Sequence, residues 1–380
     1  MVERAPWVLP AGRVAIVGAG VAGLTCARTL LHHGVDVVVF DKGRRPGGRL
    51  ASVRSPELAA DLGAQYFTVR DERFGHSVRS WVDEGVVERW NGRVLALPHI
   101  GGPLVDPPPA ERFVGTPSMS AIARHLGREV AVRASHRVDE IERRDTRFVL
   151  SGTIGASGVT LGPREGRKAE PPVAFGDFDV LLVCLPADQV HPLIESVSPS
   201  LAHSVTRAAY NPCLALGVVP DGDVLRGLPF DGLFVGMDGD PDRILAWLAR
   251  DSSKPKRSGA ETWVVHAAPD WSRAHLRDPA EAIERALLDE LARILGLPRS
   301  AAKATTLRRW SFAHAPAPLE AEALFDEDAK VGVGGDLFAG GNVEGAFLSG
   351  LALACRVLGL PSLPFVAPAA PMRTARVGVN

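Results

Sequence analysis

The apolar positions of the chain first cluster into short runs close to its start. Residues 14–17 form a continuous apolar run, which predicts a buried parallel strand, and a helix pattern begins after Gly20. A second, mostly apolar run over residues 35–40 ends at Asp41. This order of strand, glycine-rich turn, helix and strand predicts a βαβ unit that binds a dinucleotide.

Several later segments also show the patterns of strands. Residues 180–185 are apolar and predict a further buried strand in the same sheet, whereas partial alternation within residues 130–150 indicates a small β region. Residues 263–267 predict another strand. Residues 152–176 are rich in glycine, proline and charge, which favours a flexible hairpin or surface loop. Residues 363–380 are predicted to be a loose C-terminal tail.

Two segments follow the apolar period of a helix. For residues 280–295 we expect Asp278 as the N-cap, Pro279 in the first helical position and Gly296 at the end. The second helix pattern covers residues 345–358. Both segments are therefore predicted to pack one apolar face against a core.

The glycines of the first turn suggest a phosphate site. Gly18 allows a tight turn, Gly20 allows the backbone to approach a pyrophosphate, and Gly23 allows the helix to pack closely on the strand. The helix N-terminus would offer unpaired N–H groups to the phosphates, and Asp41 could accept hydrogen bonds from a ribose. A glycine-rich turn without a ligand is the less favoured alternative.

The residues that follow Asp41 indicate which dinucleotide cofactor the chain binds. Gly47 and Gly48 allow the backbone to lie beside a ligand, and Arg49 could hold a pyrophosphate. Residues 41–50 resemble the second fingerprint of the flavin amine oxidase superfamily, and residues 61–67 resemble its segment lining the flavin ring. Near the end, residues 333–336 and 343–346 are similar to its C-terminal flavin-contacting motif.

This resemblance implies FAD rather than NAD as the cofactor. No cysteine lies between Trp310 and Asp336, which indicates that the FAD is bound non-covalently. It also implies a set of cofactor contacts at Gly18, Gly20, Val21, Ala22, Gly23, Asp41, Lys42, Gly48, Arg49, Leu62, Gly63, Ala64, Gln65, Val138, Gly335, Asp336, Val343, Glu344, Gly345 and Ala346.

Composition narrows the class of protein. The chain has 380 residues, 46% of them hydrophobic, and a net charge of -1, so we expect a packed globule of two domains without a nucleic-acid or membrane partner. The start of the chain lacks the pattern of a signal peptide. The four cysteines are far apart, which predicts buried free thiols, a cytoplasmic location and no metal site.

The expected fold class is α/β, with a Rossmann-type FAD-binding domain like those of glutathione reductase and amine oxidases and a discontinuous α+β substrate domain. We assign residues 1–76, 113–205 and 328–362 to the FAD-binding domain. Residues 77–112 and 206–327 are assigned to the substrate domain, and the substrate is expected between the two.

Four further segments point to one subgroup within this superfamily. Residues 210–216, 247–255, 263–268 and 309–313, together with the flavin motifs, resemble the renalase-like flavoproteins of the FAD-dependent amine oxidase superfamily. That resemblance implies oxidation of the 2- and 6-dihydro isomers of NAD(P)H to NAD(P)⁺. The hydride passes to FAD and then to O₂, which gives H₂O₂. The N-terminus of the helix over residues 345–358 would stabilise the negative charge that develops on the flavin.

The candidate substrate-site residues each have a structural alternative. Trp310 could stack on a flat substrate ring or lie in the core, and His266 could bind a carboxamide or phosphate or be structural. Gln65 could contact the flavin or the substrate, or satisfy local backbone groups. Tyr210 and Asn211 are weaker candidates, because Asn-Pro is also a turn signal.

Two other classes of function remain open. A flavin amine oxidase or desaturase acting on another small molecule would share every FAD motif. Lys254, Lys256, Lys303 and Lys330 lie in no predicted pocket strand and tyrosines are scarce, which counts against a generic amine oxidase. A non-catalytic flavoprotein is the other alternative, and a flavin reduced by substrate would exclude it.

Overall fold

The computed structural model describes residues 12–155, 172–222, 225, 227–236, 242–297 and 302–361. Its helices are α1 (Val21–His32), α2 (Glu72–Asp83), α3 (Ser120–Leu126), α4 (Ala187–Ile194), α5 (Pro199–Val205), α6 (Pro269–His275), α7 (Ala280–Leu295) and α8 (Val343–Leu358). Its strands are β1 (Arg13–Val17), β2 (Asp36–Asp41), β3 (Ser52–Arg54), β4 (Ala59–Asp61), β5 (Val87–Arg89), β6 (Val94–Leu97), β7 (Phe113–Gly115), β8 (Ala131–Ala134), β9 (His136–Arg144), β10 (Arg147–Ile154), β11 (Val173–Phe178), β12 (Val180–Val183), β13 (Asn211–Pro220), β14 (Gly232–Val235), β15 (Leu245–Arg250), β16 (Trp263–Ala267), β17 (Ala302–His314), β18 (Leu324–Asp326) and β19 (Val331–Val333). These elements form two compact units.

The first unit comprises the described parts of Met1–Gly48, Ala123–Ala209 and Ala315–Val366. Its main sheet has the strand order β18-β19-β12-β1-β2-β8, in which only β18 runs antiparallel to its neighbour. All four residues of β12 and the last four of β1 are buried, which explains their unbroken apolar runs. The predicted βαβ unit is confirmed as β1, α1 and β2.

Two glycines let helices approach closely in this unit. A Cβ on Gly23 of α1 would collide with the carbonyl oxygen of Gly18. A Cβ on Gly350 of α8 would collide with the carbonyl oxygen of Ala22, so α8 packs directly on α1. The last described helix of the chain thus covers its first.

The second unit comprises the described parts of Arg49–Ile122 and Tyr210–His314. Its large sheet has the order β17-β13-β16-β15-β14-β6, with β6 parallel to β14 and the other pairs antiparallel. Leu287 and Leu291 of α7 belong to the apolar core on one face of this sheet. On the other face, Leu58 and Leu62 pack against Ala215 of β13.

Most of the predicted elements are confirmed, but the start of α7 and the end of β12 differ from the prediction. The N-cap of α7 is Pro279, whose backbone is extended, whereas the Asp278 carboxylate accepts a hydrogen bond from His275. The predicted buried strand over residues 180–185 ends at Val183.

The predicted loop over residues 152–176 has strands at both described ends. Residues 152–154 belong to β10 and residues 173–176 to β11, and the two strands pair antiparallel. The hairpin interpretation therefore holds for those ends, while the loop interpretation fails there. Residues 156–171 lie outside the described residues, as does the predicted tail.

The cysteines agree with the prediction in their chemistry but only partly in their burial. The four cysteines are free as predicted, although Cys213 and Cys355 are only partly buried. Among the described residues, no helix is both long and apolar enough to cross a membrane.

The division into two units is based on how densely the residues pack, and it places residues 49–76 in the second unit rather than in the first. The predicted limits of the FAD-binding and substrate domains stay a prediction.

Candidate functional site

The turn between β1 and α1 has the shape expected of a phosphate cradle. Gly18 has φ +109°, and a Cβ there would collide with the carbonyl of Cys184, so only glycine fits. At Gly20, which precedes α1 and has no side-chain cap, an added Cβ would meet no atom within 4 Å. The open space beside Gly20 at a helix N-terminus suits a pyrophosphate, so these residues fit a dinucleotide cofactor.

Asp41 lies at the end of β2 beside this turn. Its Oδ2 accepts the N–H of Ala19 at 2.7 Å, and its Oδ1 accepts the N–H of Gly43 at 2.6 Å. Burial raises the pKa of Asp41, while these two N–H groups and Lys42 oppose that rise. The carboxylate retains lone pairs that a ribose hydroxyl could use.

The predicted C-terminal flavin-contacting motif is built around the start of α8 in the same unit. Asn342 is the N-cap, and its Oδ1 accepts the N–H of Gly345 at 2.8 Å. A Cβ on Gly345 would collide with the carbonyl of Ala339, which explains the glycine. The N–H of Gly335 donates to Ser349 at 2.9 Å, so this loop is tied to the helix.

The remaining predicted cofactor contacts of this unit are placed as follows. The buried ones are Val21, Ala22, Val138, Asp336, Val343 and Glu344. Gly48 and Lys42 are exposed, and Lys42 Nζ donates to Gln189 Oε1 at 3.3 Å. Ala346 donates its N–H to Asn342 within the first turn of α8. Their roles in holding FAD stay predictions.

The predicted flavin-lining segment, residues 61–67, lies in the second unit against β17. Trp310 Nε1 donates to the Leu62 carbonyl at 2.8 Å, and Ala64 N–H donates to the Arg49 carbonyl at 3.0 Å. A Cβ on Gly63 would collide with that carbonyl of Arg49 and would lie 3.4 Å from the Trp310 ring. The structure thus brings Trp310 and this segment together.

Gln65 is held from both ends of its amide. Its Nε2 donates to the carbonyls of Asp61 and Gly63, the latter at 3.1 Å, and its Oε1 accepts from Lys254 Nζ at 3.2 Å. Local backbone satisfaction, the structural alternative for this residue, is therefore present. The lysine contact is an additional one that the sequence did not indicate.

Lys254 belongs to a buried ionic group formed by Asp61, Asp251, Lys254 and Arg257. Lys254 Nζ lies 2.6 Å from Asp251 Oδ1 and 3.7 Å from Asp61 Oδ2. Arg257 Nη2 lies 2.5 Å from Asp61 Oδ2. Two carboxylates and two cations thus balance one another inside the protein, as buried charges must.

The two carboxylates of this group are affected differently. Burial works to raise the pKa of Asp61, but Lys254, Arg257, the Ser52 hydroxyl and the Met119 N–H together lower it. The pKa of Asp251 is raised, first by burial and also by the charge of Asp61, although Lys254 and Arg257 oppose that rise. Asp61 is therefore the more firmly ionised of the two.

His266 lies on β16 close to the same group. Its side chain is buried, and neither ring nitrogen makes a hydrogen bond of ordinary geometry with the described residues. Burial and the charge of Lys254 lower the pKa of His266 to about 4, against a smaller opposing effect of the Leu62 carbonyl. The imidazole is consequently neutral at physiological pH.

Tyr210 and Asn211 lie at the start of β13. Asn211 Oδ1 accepts from Arg273 Nη2 of α6 at 2.7 Å. The Arg49 guanidinium lies 5.5 Å from the Tyr210 ring centre, and Arg49 also donates to the Ala313 carbonyl at 3.2 Å. Asn211 therefore has a structural partner, while a role for either residue in substrate binding remains a prediction.

One buried lysine lies beside the predicted flavin-lining segment. Lys254 lies outside any strand, but its side chain is fully buried and contacts Gln65, so a lysine is available beside the predicted flavin-lining segment. The only sequence signal was the spacing of Asp251, Lys254 and Arg257, three residues apart, which also occurs on solvated surfaces. The scarcity of lysines consequently no longer counts against an amine oxidase.

Comparisons with known families agree with this geometry. Residues 16–84 match the family described as NAD(P)-binding Rossmann-like domain. Residues 99–358 match the family described as flavin containing amine oxidoreductase. The second match alone spans more than half of the chain.

Individual relatives are similar over shorter stretches. Hydroxyneurosporene desaturase of Rubrivivax gelatinosus is 45% identical over 58 residues, which is 15% of this chain and 11% of that protein. Tryptophan 2-monooxygenase of Agrobacterium vitis is 37% identical over 95 residues, 22% of this chain and 13% of that protein. The chain therefore matches only a small part of the length of these relatives.

Solved structures extend the likeness to the whole fold. Cyclohexylamine oxidase from Brevibacterium oxydans IH-35A superposes with a TM-score of 0.64 at 12% identity, covering 92% of this chain and 99% of that chain. Putrescine oxidase bound to putrescine gives a TM-score of 0.62 at 12% identity, covering 91% and 98%. The predicted α/β class with a Rossmann-type domain is confirmed, and the chain belongs to the family of flavin-containing amine oxidoreductases, with FAD as its cofactor.

Proposed function

We propose that the protein is a renalase-like oxidase that converts 2- or 6-dihydro-NAD(P) to NAD(P)⁺. The overall reaction consumes one dihydronicotinamide, one O₂ and one proton, and it yields NAD(P)⁺ and H₂O₂. Bound FAD supplies the hydride acceptor. The phosphate cradle at Gly18 and Gly20, the Asp41 carboxylate and the loop at Asp336 would hold that cofactor.

The observation that carries this proposal is the pair of uncharged aromatic side chains, Trp310 and His266, that lie beside the Leu62 carbonyl of the predicted flavin-lining segment. Trp310 is anchored to the Leu62 carbonyl, and the nearby His266 is uncharged. A flat, already reduced pyridine ring needs an aromatic surface and neutral hydrogen-bonding groups, and its hydride can leave without a base to remove a proton first. Gln65, fixed by Lys254, would orient a carboxamide or the cofactor edge.

The chain also supplies electrostatic help for reduction of the cofactor. The N-terminus of α8 carries a partial positive charge and follows the predicted flavin-contacting loop. Negative charge that develops near such a terminus during hydride transfer is stabilised. This role of α8 is part of the proposal.

A second candidate is an oxidase acting on an amine, or a desaturase. The buried Lys254 beside Gln65 favours it, because a lysine in that place is compatible with proton transfer at a substrate nitrogen. The names of the structural neighbours point the same way, since one structure holds putrescine. The two candidates differ in the substrate that reduces the flavin.

The deciding experiment mixes the FAD-loaded protein anaerobically with 2-dihydro-NAD, 6-dihydro-NAD and ordinary NADH in turn. We expect rapid loss of the oxidised flavin absorbance with an isomer and slow or no loss with NADH, followed by one H₂O₂ per NAD⁺ when O₂ is admitted. Putrescine and cyclohexylamine serve as amine substrates for comparison. Bleaching by an amine alone would replace the proposal with the second candidate.

A further inference from the structure

One row of side chains across the large sheet of the second unit carries buried polar atoms that make no hydrogen bond of ordinary geometry with the described residues. Ala215 of β13 is paired with Arg308 of β17 on one side and with His266 of β16 on the other. His266 is in turn paired with Trp247 of β15. Directly paired residues of antiparallel strands share a face, so these side chains lie on the same side of the sheet.

This face is also the one that carries Trp310. Trp310 follows Arg308 by two residues along β17, and the Arg308 guanidinium carbon lies 4.6 Å from the Trp310 ring centre. Because Trp310 is bonded to the Leu62 carbonyl, Arg308 lies next to the predicted flavin-lining segment. The edge strand β17 thus presents a cation and an aromatic ring side by side.

Arg308 differs from the other cations near this segment. The charges of Lys254 and Arg257 are balanced by Asp61 and Asp251, whereas Arg308 has no carboxylate within ion-pair distance among the described residues. Its Nε is buried and makes no hydrogen bond within the described part of the chain. Burial lowers the pKa of Arg308, yet a guanidinium stays charged at physiological pH.

A half-buried cation without a partner costs free energy in the free protein, and a ligand anion would remove that cost. The guanidinium has a planar set of donors that matches phosphate oxygens, and stacking on Trp310 fixes its plane. His266 lies in the same row, two strands away at about 10 Å, but the Ala215 between them is covered by Leu58 and Leu62. An anion site in this row therefore belongs to Arg308 on the edge strand β17.

We propose that Arg308 is a specificity-determining residue that binds a phosphate of the substrate. This inference rests on the proposed function and deepens it: the substrate is a phosphorylated, anionic dihydronicotinamide rather than a cationic amine. Arg308 attracts the phosphate and repels a substrate ammonium group.

The test compares three 6-dihydronicotinamide substrates with the FAD-loaded protein: the uncharged riboside, the mononucleotide and the dinucleotide. For Arg308→Met we expect KM for the two phosphorylated substrates to rise at least tenfold, with kcat changed less than threefold. Turnover of the riboside should stay within twofold. Arg308→Lys should restore part of the loss, because the charge returns without the planar donors.

The control removes an equal charge from the same strand. Lys303 is exposed near the start of β17, and Lys303→Met should leave all three substrates unaffected. If Arg308→Met raises KM no more than Lys303→Met does, or weakens the riboside equally, Arg308 does not bind phosphate and the inference fails.

A binding measurement separates this failure from failure of the proposed function. Inorganic pyrophosphate is titrated into the FAD-loaded wild-type and Arg308→Gln proteins, and Trp fluorescence is followed. Saturable quenching in the wild type that is lost in the variant supports an anion site even if no dihydronicotinamide reduces the flavin. Equal quenching in both proteins, or none in the wild type, overturns the inference whatever the substrate proves to be.

Discussion

The ammonium group of Lys254 lies 2.6 Å from the carboxylate of Asp251, and both side chains are almost completely excluded from solvent. Asp61, 3.7 Å from the same ammonium, shares it. Since Asp61 also bonds Arg257, removal of any one member leaves an uncompensated charge in the interior.

Lys254→Met should therefore destabilise the protein by about 3–5 kcal/mol, the usual effect of breaking a buried ion pair. Urea unfolding of the FAD-loaded protein measures this change. Lys256→Met is the matched control, because that lysine is largely exposed and pairs with Glu88, so its loss should change stability by less than about 1 kcal/mol. Equal losses of stability in the two variants would show that the buried ionic group stabilises the protein no more than an exposed ion pair does.

Burial of the neutral His266 should make the stability of the protein depend on pH. Its pKa in the folded protein is about 4, below the ordinary value of 6.5, so the unfolded chain binds the proton more readily between these values. Stability is then complete above pH 6.5 and falls as the pH falls towards 4, by on the order of 3 kcal/mol at most. His266→Asn should remove that part of the pH dependence.

Urea unfolding at pH 7 and pH 5 measures the effect in each protein. His99→Asn, at an exposed loop position, should leave the pH dependence unchanged. A His266→Asn protein that loses as much stability between pH 7 and pH 5 as the wild type does would contradict the buried neutral imidazole.

Substitutions at Gly20 and Gly18 test cofactor binding and folding stability independently. Gly20→Ala adds a methyl group in open space, so the apoprotein should unfold at the same urea concentration while FAD affinity falls at least tenfold. Gly18→Ala forces a positive φ and a backbone collision, so the apoprotein itself should be destabilised. FAD titration and urea unfolding of both variants check these outcomes; unchanged FAD affinity in Gly20→Ala would argue against a phosphate beside that residue.

Trp310→Phe tests the hydrogen bond to Leu62. The ring is largely retained, but the Leu62 carbonyl loses the indole N–H, and an unsatisfied buried carbonyl costs about 1–3 kcal/mol. We expect lower stability and slower flavin reduction in stopped-flow mixing. Trp271→Phe, on the partly buried surface of α6, is the control. A Trp310→Phe protein with wild-type stability would mean that this bond is not maintained in solution.

The elements that follow a simple period were predictable from sequence. The buried run of β1, the helix α1 and the glycine at the end of α7 each depend on residues close in the chain, so local patterns suffice. The motifs that indicated the flavin family were recognisable for the same reason, because each is a short continuous segment.

The buried ionic group could not be predicted in this way. Arg257 and Asp61 are 196 residues apart, and nothing in the local pattern of either segment distinguishes a buried charge from a solvated one. Asp278 was misassigned for a different reason: its position before Pro279 suits a cap, but His275 is near enough to bind its carboxylate. Arg257 and Asp61 are brought together only by the fold, whereas Asp278 had two local uses, as a cap for α7 or as a partner of His275, and its position in the sequence suits both.

The contact of Gly350 with the Ala22 carbonyl has a consequence for biosynthesis. The glycine-rich turn emerges from the ribosome early, yet the helix that covers α1 is among the last parts of the described chain to be made. The strand β19, which borders β12 in the same sheet, is also late. The sheet and the helical cover of α1 are therefore completed only after most of the described chain has been synthesised, so the apolar surface of the first βαβ unit lacks its final partners until then.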